Sequence, residues 1–159
     1  MSFENIYSTL SETMRYFHSL HHRELASMQE QCKKAKNVAD LYRLASNISS
    51  FCHSLHVHHT IEDQRLFPVI ARKTDVSHLE THHQQLGQLL NEFKNFARQL
   101  KQLKNSDTNI STVILDATAL VDKVSALVHE HEAAEEQIIA ADNMKKWFSE
   151  REMRQLLNM

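Results

Sequence analysis

Apolar side chains recur in alternating steps of three and four residues along four long stretches of the chain. This spacing places them on one face of an α-helix. The predicted helices span about 5–36, 38–66, 77–104 and 111–140, with a short fifth helix at about 149–157. The three-four alternation is typical of left-handed, near-antiparallel packing. The pattern therefore predicts an all-α fold, an up-down antiparallel four-helix bundle with a short C-terminal helix, forming one domain over residues 1–159.

Local signals predict where these helices begin and end. Asn37 is suited to cap the second helix, and Pro68 is predicted to end it. Ser77 and Glu80 have the spacing of a capping box at the start of the third helix, and a second capping box begins at Ser149. The polar run at 105–109 is predicted to be a loop between the third and fourth helices.

Composition supports helices and excludes several classes of protein. One glycine and one proline in 159 residues leave little turn chemistry for a β-sheet. A net charge of −2 without a basic stripe argues against nucleic-acid binding, and no apolar run reaches the length of a membrane span. The polar start of the chain does not resemble a signal peptide. Cys32 and Cys52 are therefore predicted to be reduced core residues of a cytoplasmic protein.

Polar residues occupy apolar positions in the second and fourth helices. His58 and Glu62 stand four residues apart, as do His131 and Glu135, and each pair is followed at once by a second acid. Residues i and i+4 are neighbours on one helix face, so each pair directs one imidazole and one carboxylate to the same point. Buried polar groups need partners, and a metal ion could join the two pairs.

Twelve histidines are present, and helix geometry selects those that can reach the same level. Equal distances from the connecting loops, together with the position of the apolar stripe, favour His18 on the first helix and His83 on the third. His21 is the main rival of His18, and His82 is the rival of His83. His22 falls nearly on the surface, although it remains a third candidate on the first helix.

The predicted ligands are histidines and glutamates from all four long helices: His18, His58, Glu62, His83, His131 and Glu135. Imidazole and carboxylate ligands without thiolate favour iron, with zinc or manganese as alternatives. Six ligands are too few for two six-coordinate ions, so carboxylate and oxide, hydroxide or water bridges are expected. Positions left open would accept a diatomic molecule or peroxide.

Other residues near these ligands are predicted to have supporting roles. Asp63 and Glu136 are expected to accept hydrogen bonds from the ligand imidazoles, a common way of orienting them. Gly87, which is costly within a helix, is interpreted as a site of close helix contact or of ligand access. The remaining histidines of this region are predicted to lie at the surface or just outside the ligand set: His53, His56, His59 and His129.

The segment His58-His-Thr-Ile-Glu62-Asp63-Gln-Arg-Leu66-Phe67-Pro68 resembles a motif of the hemerythrin-like HHE cation-binding domains. His83-Gln-Gln-Leu86 and His131-x3-Glu135-Glu136 are similar to the family's third- and fourth-helix patterns, and the resemblance covers about 5–140. It implies an up-down bundle holding a non-haem di-iron centre at these positions. Family roles include oxygen binding, sensing of oxygen, nitric oxide, redox state or iron, and repair of iron centres.

Two features depart from the family pattern. No Leu-Phe-Pro follows the acids of the fourth helix, and the extra His-x3-His pair of oxygen carriers is matched only by His78 and His82, with His78 at the predicted helix start. The main hypothesis is therefore a di-iron module that binds or senses a small ligand. The alternatives are a di-iron enzyme, a zinc or other cation-binding regulator, and a metal-free interaction protein. A homodimer or a signalling partner is compatible with the sequence, which identifies neither.

Overall fold

Helices joined by short connections make up the part described by the computed structural model, residues 5–105 and 109–158. Residues 1–4, 106–108 and 159, which include most of the loop predicted at 105–109, lie outside the described residues. The elements follow in the order α1 Ile6–Lys34, α2 Val38–Ile61, a π-helical turn Glu62–Leu66, α3 Phe67–Ile70, α4 Ser77–Lys101, α5 Ile110–Ile138, α6 Ala141–Trp147 and α7 Glu150–Leu157. The predicted all-α fold class is confirmed.

The four long helices α1, α2, α4 and α5 form a bundle. Helix α1 packs against α2 and α5, and α4 packs against the same two helices, so the four enclose a common interior. Short connections join α1 to α2 and α4 to α5, which makes these neighbours antiparallel. Helices α6 and α7 both pack on α1.

The end of the second helix differs from the prediction. Pro68 does not end the helical path, which continues to Ile70 through the π-helical turn. The backbone N–H of Phe67 donates to the carbonyl of Glu62, five residues back. Pro68 then falls in the first turn of α3, where an N–H group has no partner within its own helix and its loss costs little.

Most of the predicted caps are present. The side chain of Asn37 accepts a hydrogen bond from the Asp40 N–H, and Ser149 forms its capping box. The capping box predicted at Ser77 is wrong. Ser77 is the first helical residue of α4, and its N–H donates to the Asp75 carboxylate at 2.9 Å. The acid before the helix, rather than Ser77, therefore accepts a hydrogen bond from the N-terminal backbone. Helix α6 was not predicted.

Two apolar cores lie at different levels of the bundle. The larger is built on residues such as Leu44, Phe51 and Phe93 and fills the half nearest the α1–α2 and α4–α5 connections. The smaller closes the other end, where α6 and α7 contribute buried side chains such as Met144 and Met153. Phe148 is buried there and Trp147 packs against the same cluster.

Three further expectations can be compared with the structure. Cys32 and Cys52 are free and buried, as predicted, and burial raises the pKa of the Cys52 thiol to about 11. A β-carbon on Gly87 would meet no atom within 4 Å, so the close helix contact proposed there is wrong. Among the described residues, the helices are all too short or too polar to span a membrane.

Candidate metal centre

A polar layer separates the two apolar cores. On each long helix, histidines or glutamates replace the apolar residues for about one to two turns, with apolar residues above and below. Along α2 and the π-helical turn, for example, the layer lies between Leu55 and Leu66 of the two cores. The six predicted ligands all face this layer, and their side chains are at most 14% exposed.

The first group of ligand atoms joins α1, α2 and α5. His18, His58 and Glu135 each place one nitrogen or oxygen so that all three atoms lie within 4.8 Å of one another. His18 Nε2 is 3.3 Å from Glu135 Oε1. The His18 and His58 rings are perpendicular, with centroids 5.7 Å apart. Three helices therefore contribute to a site that one cation could occupy.

The second group joins the π-helical turn, α4 and α5. Glu62, His83, His131 and Glu135 place four ligand atoms within 4.8 Å of one another. The Nε2 atoms of His83 and His131 are 2.9 Å apart. Glu62 Oε2 lies 3.5 Å from His83 Nε2, and Glu135 Oε2 lies 3.3 Å from His131 Nε2. Two imidazoles and two carboxylates thus surround a second position.

Each carboxylate extends between the two groups. Glu135 directs Oε1 toward His18 and Oε2 toward His131. Glu62 places Oε1 2.5 Å from His58 Nε2, while its Oε2 is the oxygen nearest His83. Because the two oxygens of one carboxylate face imidazoles of different groups, both glutamates have the arrangement of bridging ligands.

Buried polar atoms in this layer lack hydrogen-bond partners among the described residues. They include both carboxylate oxygens of Glu62 and Glu135, and Nε2 of His18 and His58. An unpaired buried polar atom costs free energy, and native proteins contain few of them. Here they converge on two points and combine imidazole with carboxylate, a donor set that fits divalent metals. The residues present therefore fit a pair of cations.

Charge interactions in the layer shift the pKa of its acids in opposite directions. Burial and the adjacent Glu135 carboxylate raise the pKa of Glu62 well above its ordinary value. Burial acts in the same direction on Glu135, but the adjacent Glu62, His131 and His18 side chains hold the pKa of Glu135 well below its ordinary value.

The residues that follow the ligand pairs orient the imidazoles, as expected. Asp63 Oδ1 is 2.7 Å from His83 Nδ1, and Glu136 Oε1 is 2.8 Å from His18 Nδ1. A carboxylate accepts a hydrogen bond from Nδ1 in each case, which orients the ring so that Nε2 faces the interior. Each acid therefore acts on a histidine of a neighbouring helix.

His59 is placed differently from the sequence prediction. It is buried, so the surface alternative is wrong, and its ring stacks on His83 with centroids 4.0 Å apart. One of its ring nitrogens lies within 4.8 Å of ligand atoms of His83 and His131. Burial and these neighbouring imidazoles lower the pKa of His59 far below its ordinary value. His59 is thus a further candidate ligand.

Glu132 is a buried acid that the sequence reasoning missed. It is 2% exposed, with Oε1 2.9 Å from His21 Nδ1 and Oε2 3.2 Å from His22 Nε2. Burial raises the pKa of Glu132 to about 7. Burial and the rings of His58 and His18 lower the pKa of His21 to about 4. The spacing Val128 to Glu132, a continuation of the apolar stripe, was the signal that could have revealed it.

The other histidines lie around the layer. His82 is half-buried, with its ring 5.5 Å from that of His131, and His22 stacks on the exposed His129 at 3.9 Å. His78 is exposed beside His82, so it does not face the interior. His53 and His56 are exposed, as predicted.

Comparison with known proteins agrees with this geometry. Residues 9–141 match the family model described as Hemerythrin HHE cation binding domain. This range begins in α1 and ends at the start of α6, so it contains all six predicted ligands. No curated protein and no solved structure gives a significant match to the chain.

Proposed function

The chain belongs to the hemerythrin HHE cation binding domain family, and we propose that it holds two iron ions and binds a small diatomic ligand or peroxide. The observation that supports two ions is the position of Glu135, whose two oxygens face imidazoles of different ligand groups. The residues that would hold the ions are the six predicted from the sequence, with Glu135 common to both ligand groups: His18, His58, Glu62, His83, His131 and Glu135.

The choice of iron rests on the donor atoms. The layer offers imidazole nitrogens and carboxylate oxygens, and both cysteines lie in the apolar core away from it. Imidazole and carboxylate ligands suit iron, whereas sites rich in thiolate favour zinc or copper. Iron held by these residues would supply electrons to a small bound ligand.

The side chains of the chain itself prepare this centre. Burial of the layer excludes bulk water, which strengthens electrostatic interactions within it. Asp63 and Glu136 hold protons on Nδ1 of His83 and His18, so that Nε2 remains available to the metal. Glu132 accepts a hydrogen bond from His21 and brings a second acid close to His18. We infer a binding or sensing role from these fixed positions.

Metal content and absorption test the proposal. Protein purified from iron-replete cells should contain two iron ions per chain and should change its near-ultraviolet absorption when moved from anaerobic buffer to air. Glu135→Ala should lose both ions because this carboxylate belongs to both groups. His78→Ala, an exposed histidine on α4, serves as the matched control and should keep both.

Three results would contradict the proposal. Zinc or manganese in place of iron would indicate a cation-binding regulator, and one ion per chain would remove the bridging role of Glu135. Consumption of peroxide or nitric oxide well beyond one equivalent per centre would show that the protein is an enzyme.

A further inference from the structure

A cleft of about 550 Å³ opens between α1 and α2. Its lining comes mainly from residues of these two helices, with contributions from the π-helical turn and from Leu156 of α7. The volume falls within the range of roughly 300–1,000 Å³ typical of small-molecule sites. Clefts of this size exceed what a diatomic ligand needs, so the cleft calls for a separate explanation.

The walls of the cleft are largely apolar and stay accessible. Phe17, Val57 and Ile61 line it and are 42%, 42% and 53% exposed, which is unusual for large apolar side chains. Leu10 and Leu20 of α1 extend the same surface. Exposed apolar surface that lines a concave site is characteristic of ligand binding.

The inner end of the cleft is polar and belongs to the metal layer. His58 and Glu62 both line the cleft. Glu62 is 2% exposed, and neither of its carboxylate oxygens has a hydrogen-bond partner among the described residues. The same is true of His58 Nε2. An apolar path therefore leads from solvent to unpaired buried polar atoms of the candidate metal site.

The outer end carries both signs of charge. Glu24 and Arg65 line the cleft and are exposed. Glu24 would repel an anionic head group and Arg65 would repel a cationic one, so these side chains do not select a charged ligand. The charge pattern thus favours an uncharged occupant.

We propose that this cleft binds an uncharged, mainly apolar organic molecule whose inner end carries one oxygen donor. The apolar body contacts Phe17, Val57 and Ile61, and the oxygen reaches the level of His58 and Glu62. Binding of the apolar body is independent of the metal. Contact between the oxygen and a metal ion rests on the proposed function.

The first test uses metal-free protein, so that it does not depend on the metal centre. The uncharged dye N-phenyl-1-naphthylamine should bind with one-to-one stoichiometry and gain fluorescence, and 4-hexylphenol should displace it. Ser54→Trp fills the cleft from an exposed position of α2 and should weaken dye binding at least tenfold. Ser49→Trp places the same side chain on another face of α2, outside the lining, and should leave binding unchanged.

A second pair of variants covers the case in which Ser54→Trp disturbs folding. Val57→Glu adds a charge to the apolar wall and should weaken dye binding to a similar extent. Leu115→Glu makes the same kind of change at an apolar residue of α5 that is 70% exposed and lies outside the cleft lining, and it should have no effect. Equal dye binding by wild-type protein and both cleft variants would overturn the proposal.

The second test addresses the inner end. Addition of 4-hexylphenol to iron-loaded protein in the ferric state should produce a visible phenolate-to-iron absorption band, which Ser54→Trp should abolish at unchanged iron content. Displacement of the dye without this band, in protein that contains iron, would overturn the placement of the oxygen. Protein without iron would refute the proposed function but leave the dye result standing. Self-association that Ser54→Trp abolishes would identify a second copy of the chain as the occupant and also overturn the proposal.

Discussion

The interior of the four-helix bundle is apolar at one level and polar at the next. Near the interhelical connections the interior positions hold side chains such as Leu44, Ile48 and Phe93, which are fully buried. One or more turns away, the interior positions hold His58 of α2, Glu62 of the π-helical turn and His131 of α5. The apolar level stabilises the fold by burial alone, about 25 cal/mol per Å² of apolar surface. The polar level costs free energy until a cation satisfies it.

The difference shows that one packing pattern can serve both stability and chemistry. Because helices α1, α2, α4 and α5 are continuous across both levels, the apolar core fixes the distances between side chains of the metal layer. Folding therefore depends mostly on one level, and metal affinity on the other. Changes confined to either level should separate the two properties.

The largest effect on stability is expected from the apolar level. Phe93→Ala removes a fully buried ring that makes an edge-to-face contact with Phe51, and should lower the free energy of unfolding by about 3–5 kcal/mol. Urea denaturation of metal-free protein measures this. Metal affinity should stay unchanged, because Phe93 lies ten residues, roughly 15 Å, along α4 from His83. Leu115→Ala at an exposed position should cost less than about 0.5 kcal/mol.

A smaller effect of pH is expected in the metal-free polar level. Burial lowers the pKa of His18, but nearby carboxylates, led by Glu135, overcome this and raise it to about 9. Since the folded pKa exceeds the unfolded value near 6.5, protonated His18 stabilises the fold below about pH 6.5. This contribution, no larger than about 3 kcal/mol, is lost as the pH rises from about 6.5 to 9.

Urea denaturation of metal-free wild-type and His18→Gln protein, at pH values from about 6 to 9.5, would measure how much His18 adds to the free energy of unfolding. The difference between the two proteins should shrink as pH rises. A constant or growing difference would show that the carboxylates around His18 do not hold its proton.

The orienting acids should affect metal affinity rather than folding. Asp63→Ala removes the acceptor of the hydrogen bond from His83 Nδ1 and should weaken metal binding by about 10–100-fold. Competition with a coloured chelator gives the affinity. Asp116→Ala, at an exposed acid on α5, is the matched control. Equal affinities of the two variants would mean that Asp63 does not position His83.

The smallest effect is expected at Gly87, on the exposed face of α4. A β-carbon there meets no atom within 4 Å, so Gly87→Ala should stabilise the protein by about 0.5–1 kcal/mol through the higher helix propensity of alanine. Thermal unfolding measures the change, with iron content as the control. A loss of iron or of stability would instead support a role in ligand access.

The helices and the two His-Glu pairs could be predicted because both depend on local spacing. Residues four apart share a helix face whatever the neighbouring helices do, so Glu62 and Glu135 were expected beside their histidines. The same applies to the orienting acids Asp63 and Glu136, which follow the pairs directly. The end of α2 could not be predicted, because the π-helical turn that carries the chain past Pro68 has no comparable sequence signal.

His59 and Glu132 show what is missed when only one buried face is considered on each helix. Each adjoins a predicted ligand, about 100° around the helix from it. His58 contacts the rings of α1, whereas His59 contacts His83 of α4 and His131 of α5. On α5, His131 meets α4 and Glu132 meets α1. A helix in a ring of four faces two neighbours, so two consecutive residues can both be buried.

The sequence by itself determined that the chain is helical and that a histidine and a glutamate share one face in each of two helices. It also predicted that histidines of the other two long helices lie at the same level. Only the tertiary structure decided which adjacent histidines and acids join them, and that a cleft beside α1 reaches their level. The reason is physical: helical periodicity is a property of neighbouring residues, whereas burial between helices depends on their distance and rotation, which the packing of the whole bundle sets.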